Sequence, residues 1–278
     1  MNVLDALILG VVEGLTEFLP VSSTAHLTIA EKVLGLPVAD PGVTAFTAVI
    51  QVGAIVAVLG YFRGDIIALA SAWLSGLARP AARRDPQYTV AWCVILGSVP
   101  IGIVGLAARH LIAGPLRNLW VVVTGLVVWS IVMYVAEKFA RQNRAERDLS
   151  LLDSVVVGLV QCLALAPGVS RSGATISAGL LRGFDRVTAT RLSFFLSIPA
   201  LVAAGAYEAG TAADSIAASV GWTPTVVASI TSFLVAYAAI AWLLRLVAHH
   251  RITVFIGYRL ALAALVGIAL ASRLLNPT

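Results

Sequence analysis

Two carboxylates, four hydroxyls and one imidazole lie within residues 13–26, EGLTEFLPVSSTAH, a segment that is otherwise apolar. Glu13 and Glu17 are four residues apart and would share one face of a helix, and Pro20 predicts that this helix ends just before the hydroxyls. Two carboxylates one turn apart in an apolar setting repel each other unless a proton or a cation lies between them. A divalent cation with oxygen ligands, Mg²⁺ or Ca²⁺, would satisfy the pair and could bridge it to phosphate oxygens.

The remaining polar residues also have ordinary structural interpretations. Ser22, Ser23 or Thr24 could cap the helix that follows the proline, and His26 alone could be a hydrogen-bonded core histidine. Gln51, in a later apolar run, either satisfies backbone groups or belongs to the site.

A second polar segment, PGVSRSGAT, occupies residues 167–175. Pro167 and Gly168 predict a break between two short helices, and the small residues after it let backbone approach a ligand closely. The amides that open the following helix favour a phosphate, and Arg171 adds a planar fork suited to phosphate oxygens. Hydroxyls alone would indicate an ordinary turn, but an arginine at membrane depth favours a functional site.

Composition indicates a polytopic all-α membrane protein, since 59% of residues are hydrophobic, 12% are charged and the mean hydropathy is +0.94. A transmembrane helix needs about 20 apolar residues. Runs of this kind lie at roughly 44–62, 89–108, 118–136, 192–207, 222–244 and 252–272, the last of which contains Arg259.

An internal repeat relates the two polar segments. LDALILGVVEGL at residues 4–15 aligns with LDSVVVGLVQCL at 152–163, and each copy continues through a proline into hydroxyls and a second short apolar stretch. Each copy therefore predicts a re-entrant helical hairpin, with its tip in a shared wet pocket. Three crossings follow each hairpin, so the second half, about 150–278, is inverted relative to the first, about 1–140. We expect one integral membrane domain over 1–278.

Basic residues predict the orientation of the chain. The segments 63–87, 138–151, 182–191 and 245–251, interpreted as loops, contain most of the 19 lysines and arginines and fall on one side in this topology. The other side has only Lys32, Arg109, Arg117 and Arg273. Arginine-rich loops are usually cytoplasmic, which places the N-terminus, the first hairpin and a loop at Glu208–Asp214 outside.

The motifs EGLTEFLPVSSTAH and PGVSRSGATI resemble the two signatures of the bacterial undecaprenyl pyrophosphate phosphatase family of the bacitracin-resistance type. The resemblance extends over essentially the whole chain, with Ala25 where the family usually has glycine. It implies hydrolysis of undecaprenyl diphosphate to undecaprenyl phosphate and inorganic phosphate with a divalent cation. This activity recycles the lipid carrier for cell-wall synthesis and confers bacitracin resistance. A transporter or flippase for a phosphorylated lipid or small anion is the alternative, because inverted repeats with broken helices are typical of transporters.

The matching positions imply a site of Glu13, Glu17, Ser23, His26, Ser170, Arg171 and Thr175. Ser22, Ser172 and Gly173 are further phosphate-binding candidates, and Thr24 and Gln51 are weaker ones. In this hypothesis Glu13 and Glu17 hold the cation, Arg171 and nearby amides bind the terminal phosphate, and Ser23 attacks with His26 as base. Attack by water or by His26 stays open.

The expected location is the bacterial inner (plasma) membrane, with the site facing the periplasm. The expected partners are the membrane and a polyprenyl diphosphate lipid, with no nucleic acid. A homodimer is an open alternative.

Overall fold

The computed structural model describes residues 1–37, 40–108, 110–111, 116, 118–211 and 213–277. In those ranges the chain is helical, apart from connecting segments and one isolated β-bridge between Arg144 and Phe184. The helices with described bounds are α1 (Val3–Thr16), α2 (Ser23–Val33), α3 (Pro41–Tyr61), α4 (Arg63–Ala78), α5 (Pro86–Ala107), α6 (Leu119–Phe139), α7 (Leu151–Gln161), α8 (Arg171–Leu181), α9 (Arg186–Thr211), α10 (Ala213–Ser219), α11 (Trp222–His249) and α12 (Val254–Ala271).

Six helices in the described ranges are long and apolar enough to cross a membrane, namely α3, α5, α6, α9, α11 and α12. Their apolar stretches are 18 to 28 residues long, which matches the thickness of a bilayer. The prediction of an all-α membrane protein with six apolar spans is therefore confirmed.

Four segments predicted as loops are wholly or largely helical where the structure describes them, so those predictions are wrong. Most of 63–87 forms α4, whose Ile66 and Leu69 pack against the main core. Residues 186–191 and 245–249 extend α9 and α11, and Glu208–Asp214 lies in α9 and α10 where it is described. Their charged residues suggested loops, but these segments are helical because they pack against the core or continue a spanning helix. Arg109 and Arg117 lie outside the described residues.

The two short helix pairs, α1–α2 and α7–α8, begin and end alike. The Asn2 side chain caps α1 and the Ser150 side chain caps α7. Helices α2 and α8 are each 11 residues long, and each follows a serine with positive φ, Ser22 at 77° and Ser170 at 76°. Helix α1 ends at Thr16 and α7 at Gln161, several residues before the prolines that were predicted to end them.

Ion pairs connect the start of α7 with the end of α8 in the second helix pair. Asp153, in the first turn of α7, accepts hydrogen bonds from Arg144, Ser150 and Arg182, the last of which caps the end of α8. Burial alone would raise the pKa of Asp153, but these hydrogen bonds hold that pKa well below the usual range of an aspartate. One carboxylate therefore fixes the start of α7 to the end of α8.

Glycines allow each first helix to pack closely on a spanning helix. Helix α1 packs on α11, and a Cβ at Gly10 would lie 2.6 Å from the Ala228 carbonyl oxygen. Helix α7 packs on α5, and a Cβ at Gly158 would lie 2.0 Å from the Gly97 carbonyl oxygen. Both distances are too short for any side chain. The two helix pairs are thus held against spanning helices, with their connecting segments directed toward each other.

Candidate active site

The connecting segments of the two helix pairs, residues 17–22 and 162–170, meet inside the protein. The Ser22 hydroxyl oxygen accepts a hydrogen bond from the Gly168 amide at 3.2 Å, and the Ser170 hydroxyl lies 3.5 Å from the Leu19 carbonyl oxygen. The structure therefore brings the two polar motifs together, although about 150 residues separate them in the chain.

Arg259 of α12 donates hydrogen bonds to both connecting segments. Its side chain is completely buried, with one terminal nitrogen 2.9 Å from the Pro20 carbonyl oxygen and the other 2.8 Å from that of Gly168. Its Nε donates to the Ser130 hydroxyl at 3.1 Å. Sequence reasoning missed this role, although the signal was present as an arginine within an otherwise uncharged span.

A chain of three side chains links the motifs at their polar face. Glu17 accepts a hydrogen bond from the Ser23 hydroxyl at one carboxylate oxygen and from Arg171 at the other, each at 2.6 Å. Arg171 Nη1 is buried and has no hydrogen-bond partner within the described residues. Glu17 therefore orients both the Ser23 hydroxyl and a guanidinium that keeps a donor for a ligand.

Glu13 lies one turn before Glu17 and is only 1% exposed. Neither of its carboxylate oxygens has a hydrogen-bond partner in the part of the chain that the structure describes. It lines a cavity of about 230 Å³, with Ser23, Thr24 and Gln51 among the other lining residues. Gln51 thus lies at the same cavity as Glu13, and Thr24 is exposed at its edge.

The His26 ring on α2 has partners other than Ser23. Its Nδ1 is 2.7 Å from the Ser22 carbonyl oxygen, and its Nε2 is 2.6 Å from the Tyr258 hydroxyl. The hydroxyl of Ser23, which was predicted to be deprotonated by His26, donates to Glu17 instead. The predicted role of His26 as the base for Ser23 stays a prediction, and in this structure Glu17 is the proton acceptor at hydrogen-bond distance.

The remaining candidates hold the start of α8. The Ser170 hydroxyl oxygen accepts from the Gly173 amide at 3.2 Å and lies 3.2 Å from the Ser172 hydroxyl. Thr175 donates to the Arg171 carbonyl oxygen and is 2.6 Å from the Ser193 hydroxyl of α9. These buried hydroxyls fix the backbone around Arg171, and a role in binding phosphate remains a prediction.

The surroundings of Glu13 suit a divalent cation that prefers oxygen ligands. A buried carboxylate without a donor is costly, and a cation with oxygen ligands removes that cost. No group of three His, Cys, Asp or Glu side chains gathers in the described ranges, so protein carboxylates alone would not complete the coordination. Phosphate oxygens of a substrate and neutral oxygens of the cavity would have to supply the other ligands.

Comparison with known proteins identifies the family. The family model described as bacitracin resistance protein BacA matches residues 6–265. This chain belongs to that family. Among its relatives in the BacA family, undecaprenyl-diphosphatase 3 of Frankia casuarinae is 57% identical over 278 residues, which is 100% of each chain. The undecaprenyl-diphosphatases of Acidothermus cellulolyticus and Cutibacterium acnes are 54% and 52% identical, over 99% and 96% of each chain respectively.

Proposed function

We propose that this chain hydrolyses undecaprenyl diphosphate to undecaprenyl phosphate and inorganic phosphate, and so recycles the lipid carrier and confers bacitracin resistance. Membership of the BacA family and the names of its relatives support the activity. The observation that supports it most directly is the Ser23–Glu17–Arg171 chain, because it joins a hydroxyl, a proton acceptor and a phosphate-binding group across the two motifs. The relatives' names favour hydrolysis over the alternative of a transporter.

The local charges explain why a cation would be needed. Glu13 and Glu17 supply two negative charges and Arg171 supplies one positive charge, so these side chains together are anionic when all three are ionised. A diphosphate adds further negative charge, and repulsion would oppose its binding. Of the two carboxylates, Glu13 has both oxygens unpartnered within the described residues and could bind a divalent cation, since both Glu17 oxygens already accept hydrogen bonds. Such a cation, when bound, would neutralise phosphate charge.

The geometry supports Ser23 as the nucleophile. As its oxygen forms a bond to the terminal phosphorus, its proton passes to the Glu17 oxygen 2.6 Å away. The bond from that phosphorus to the bridging oxygen breaks, and undecaprenyl phosphate leaves. Water then hydrolyses the phosphoserine and releases inorganic phosphate. Arg171 presents Nη1 to the phosphoryl oxygens while its other terminal nitrogen stays on Glu17. Direct attack by water or by His26 remains the alternative.

We further propose that the two helix pairs are re-entrant and that the halves are inverted relative to each other. Three spanning helices, α3, α5 and α6, lie between the two helix pairs in the sequence. Because an odd number of crossings ends on the other side of the membrane, the second pair begins on the side opposite to the first. The matching packing of α1 on α11 and of α7 on α5 supports this arrangement.

With the basic residues cytoplasmic, the site opens to the outside of the inner membrane. In a variant without Cys93 and Cys162, a cysteine placed near Asp40 should react with an impermeant thiol reagent in intact cells. One near Arg83 should react only after lysis. The reverse pattern would overturn the orientation.

Purified protein in detergent tests the reaction, because there is no sealed compartment and transport alone releases nothing. Phosphate release should occur from the C55 diphosphate, and a C15 analogue tests the dependence on chain length. A chelator should abolish release, and added Mg²⁺ or Ca²⁺ should restore it. The absence of phosphate release under all these conditions would refute the proposed hydrolysis.

A further inference from the structure

The ring of His26 is held by a second side chain that the two motifs do not contain. The Ser22 carbonyl oxygen can only accept a hydrogen bond, so Nδ1 of His26 must bear the proton in the 2.7 Å contact. In the neutral ring Nε2 then has the lone pair, and the Tyr258 hydroxyl 2.6 Å away donates to it. The two rings are nearly parallel, with 10° between their planes.

The second helix pair shows that this arrangement is not needed to build the turn. Ser22 and Ser170 have almost the same positive φ, and the residue four positions later is His26 in one pair and Ala174 in the other. The Ala174 amide bonds the Ser170 carbonyl oxygen at 2.9 Å, as the His26 amide bonds that of Ser22 at 3.3 Å. The same backbone therefore forms with a methyl side chain, so the imidazole has a role beyond the turn.

Tyr258 is placed to serve that role. Its side chain is on α12, directly before Arg259, whose buried guanidinium holds both connecting segments. The residue is 51% exposed on the surface of the helix bundle, where phenylalanine would satisfy an apolar environment equally well. A phenol there is explained by the partner of its hydroxyl, which is His26.

We propose that Tyr258 is a positioning residue that acts through His26. Its hydroxyl holds the neutral imidazole in the Nδ1-protonated tautomer and fixes the direction of the Nε2 lone pair. Without this donor, Nε2 competes for the proton and the ring loses its second anchor. The contribution of this positioning to turnover rests on the proposed hydrolysis with His26 taking part in it as base or nucleophile, whereas the tautomer and the hydrogen bond do not.

The first test is nitrogen NMR of protein in which the four histidines are isotope-labelled. The His26→Asn variant assigns the His26 resonances. In the wild-type protein we expect a protonated Nδ1 and a hydrogen-bonded, unprotonated Nε2. Tyr258→Phe should move the Nε2 resonance and introduce the other tautomer, while Tyr134→Phe, on the exposed face of α6, should change neither. His26 resonances that are the same in Tyr258→Phe and wild type would overturn the proposal.

The second test is kinetic and uses a double-mutant cycle. Tyr258→Phe should lower kcat at least about fivefold with KM nearly unchanged, and Tyr134→Phe should stay near wild type. In the His26→Asn background, Tyr258→Phe should cause no further loss. Additive losses, or a changed NMR spectrum with unchanged kcat, would show that Tyr258 does not act through His26 in turnover. If the wild-type protein releases no phosphate, the proposed function fails while the NMR result still decides the pairing.

Discussion

Replacing Glu17 with glutamine tests the centre of the proposed site. Glutamine keeps one acceptor oxygen and replaces the other with an NH₂ donor, so it cannot accept from both Ser23 and Arg171 as the carboxylate does. Losing one hydrogen bond to a charged group costs about 1.5–3 kcal/mol, which is roughly 10- to 150-fold in rate. An amide also cannot take the Ser23 proton, and general base catalysis contributes roughly 10²–10⁴-fold. We therefore expect kcat to fall at least about 100-fold.

The assay is phosphate release from undecaprenyl diphosphate in detergent micelles at saturating substrate, with folding checked by gel filtration. Glu146→Gln is the matched control, because Glu146 also pairs with an arginine, Arg191 at 3.0 Å, but its side chain is 44% exposed, whereas that of Glu17 is 3% exposed. Exposed ion pairs contribute little, so its kcat should stay within about twofold of wild type. A folded Glu17→Gln variant with kcat within about threefold of wild type would refute the role of Glu17 as base and orienting group.

Three other substitutions test neighbouring parts of the site. Arg171→Lys should lower kcat/KM at least about tenfold, since an ammonium cannot bond Glu17 and a phosphate with one planar fork; near-normal phosphate release would remove Arg171 from the phosphate site. Ser23→Ala should reduce kcat far more than Thr24→Ala, because the Ser23 hydroxyl, unlike that of Thr24, donates to Glu17; equal effects in the same assay would favour water or histidine as nucleophile. Arg259→Lys should destabilise the protein by about 2 kcal/mol or more, because one ammonium cannot satisfy the buried carbonyls of both connecting segments; an unchanged melting temperature in detergent would contradict this.

The sequence predicted the spanning helices well and the segments between them poorly. Six apolar runs of sufficient length, uncharged apart from Arg259, can only be buried in lipid or protein, so composition alone identifies them. The helical state of 63–78 was missed because its charged ends suggested a loop, whereas Ile66 and Leu69 pack on the core. Packing of this kind depends on residues distant in sequence, and local charge does not report it.

Residue types and spacing determined which groups could take part in phosphate chemistry. Burying polar or charged side chains at membrane depth costs free energy, so such residues are functional candidates. They are Glu13 and Glu17 on one helix face, the hydroxyls after Pro20 and the arginine after Pro167. Their placement within two similar segments of one chain also predicted that they would meet.

Only the tertiary structure decided which of these groups bond to one another. Glu17 accepts hydrogen bonds from both Ser23 and Arg171, the Glu13 oxygens have no hydrogen-bond partner in the described part of the chain, and His26 contacts Tyr258. Arg259 gained a role that no motif indicated, because its partners are backbone carbonyls from two other segments. Hydrogen bonds depend on distances of a few tenths of an ångström and on the face of each helix that packing turns inward. The order of residues along a chain does not contain those distances until the helices have packed.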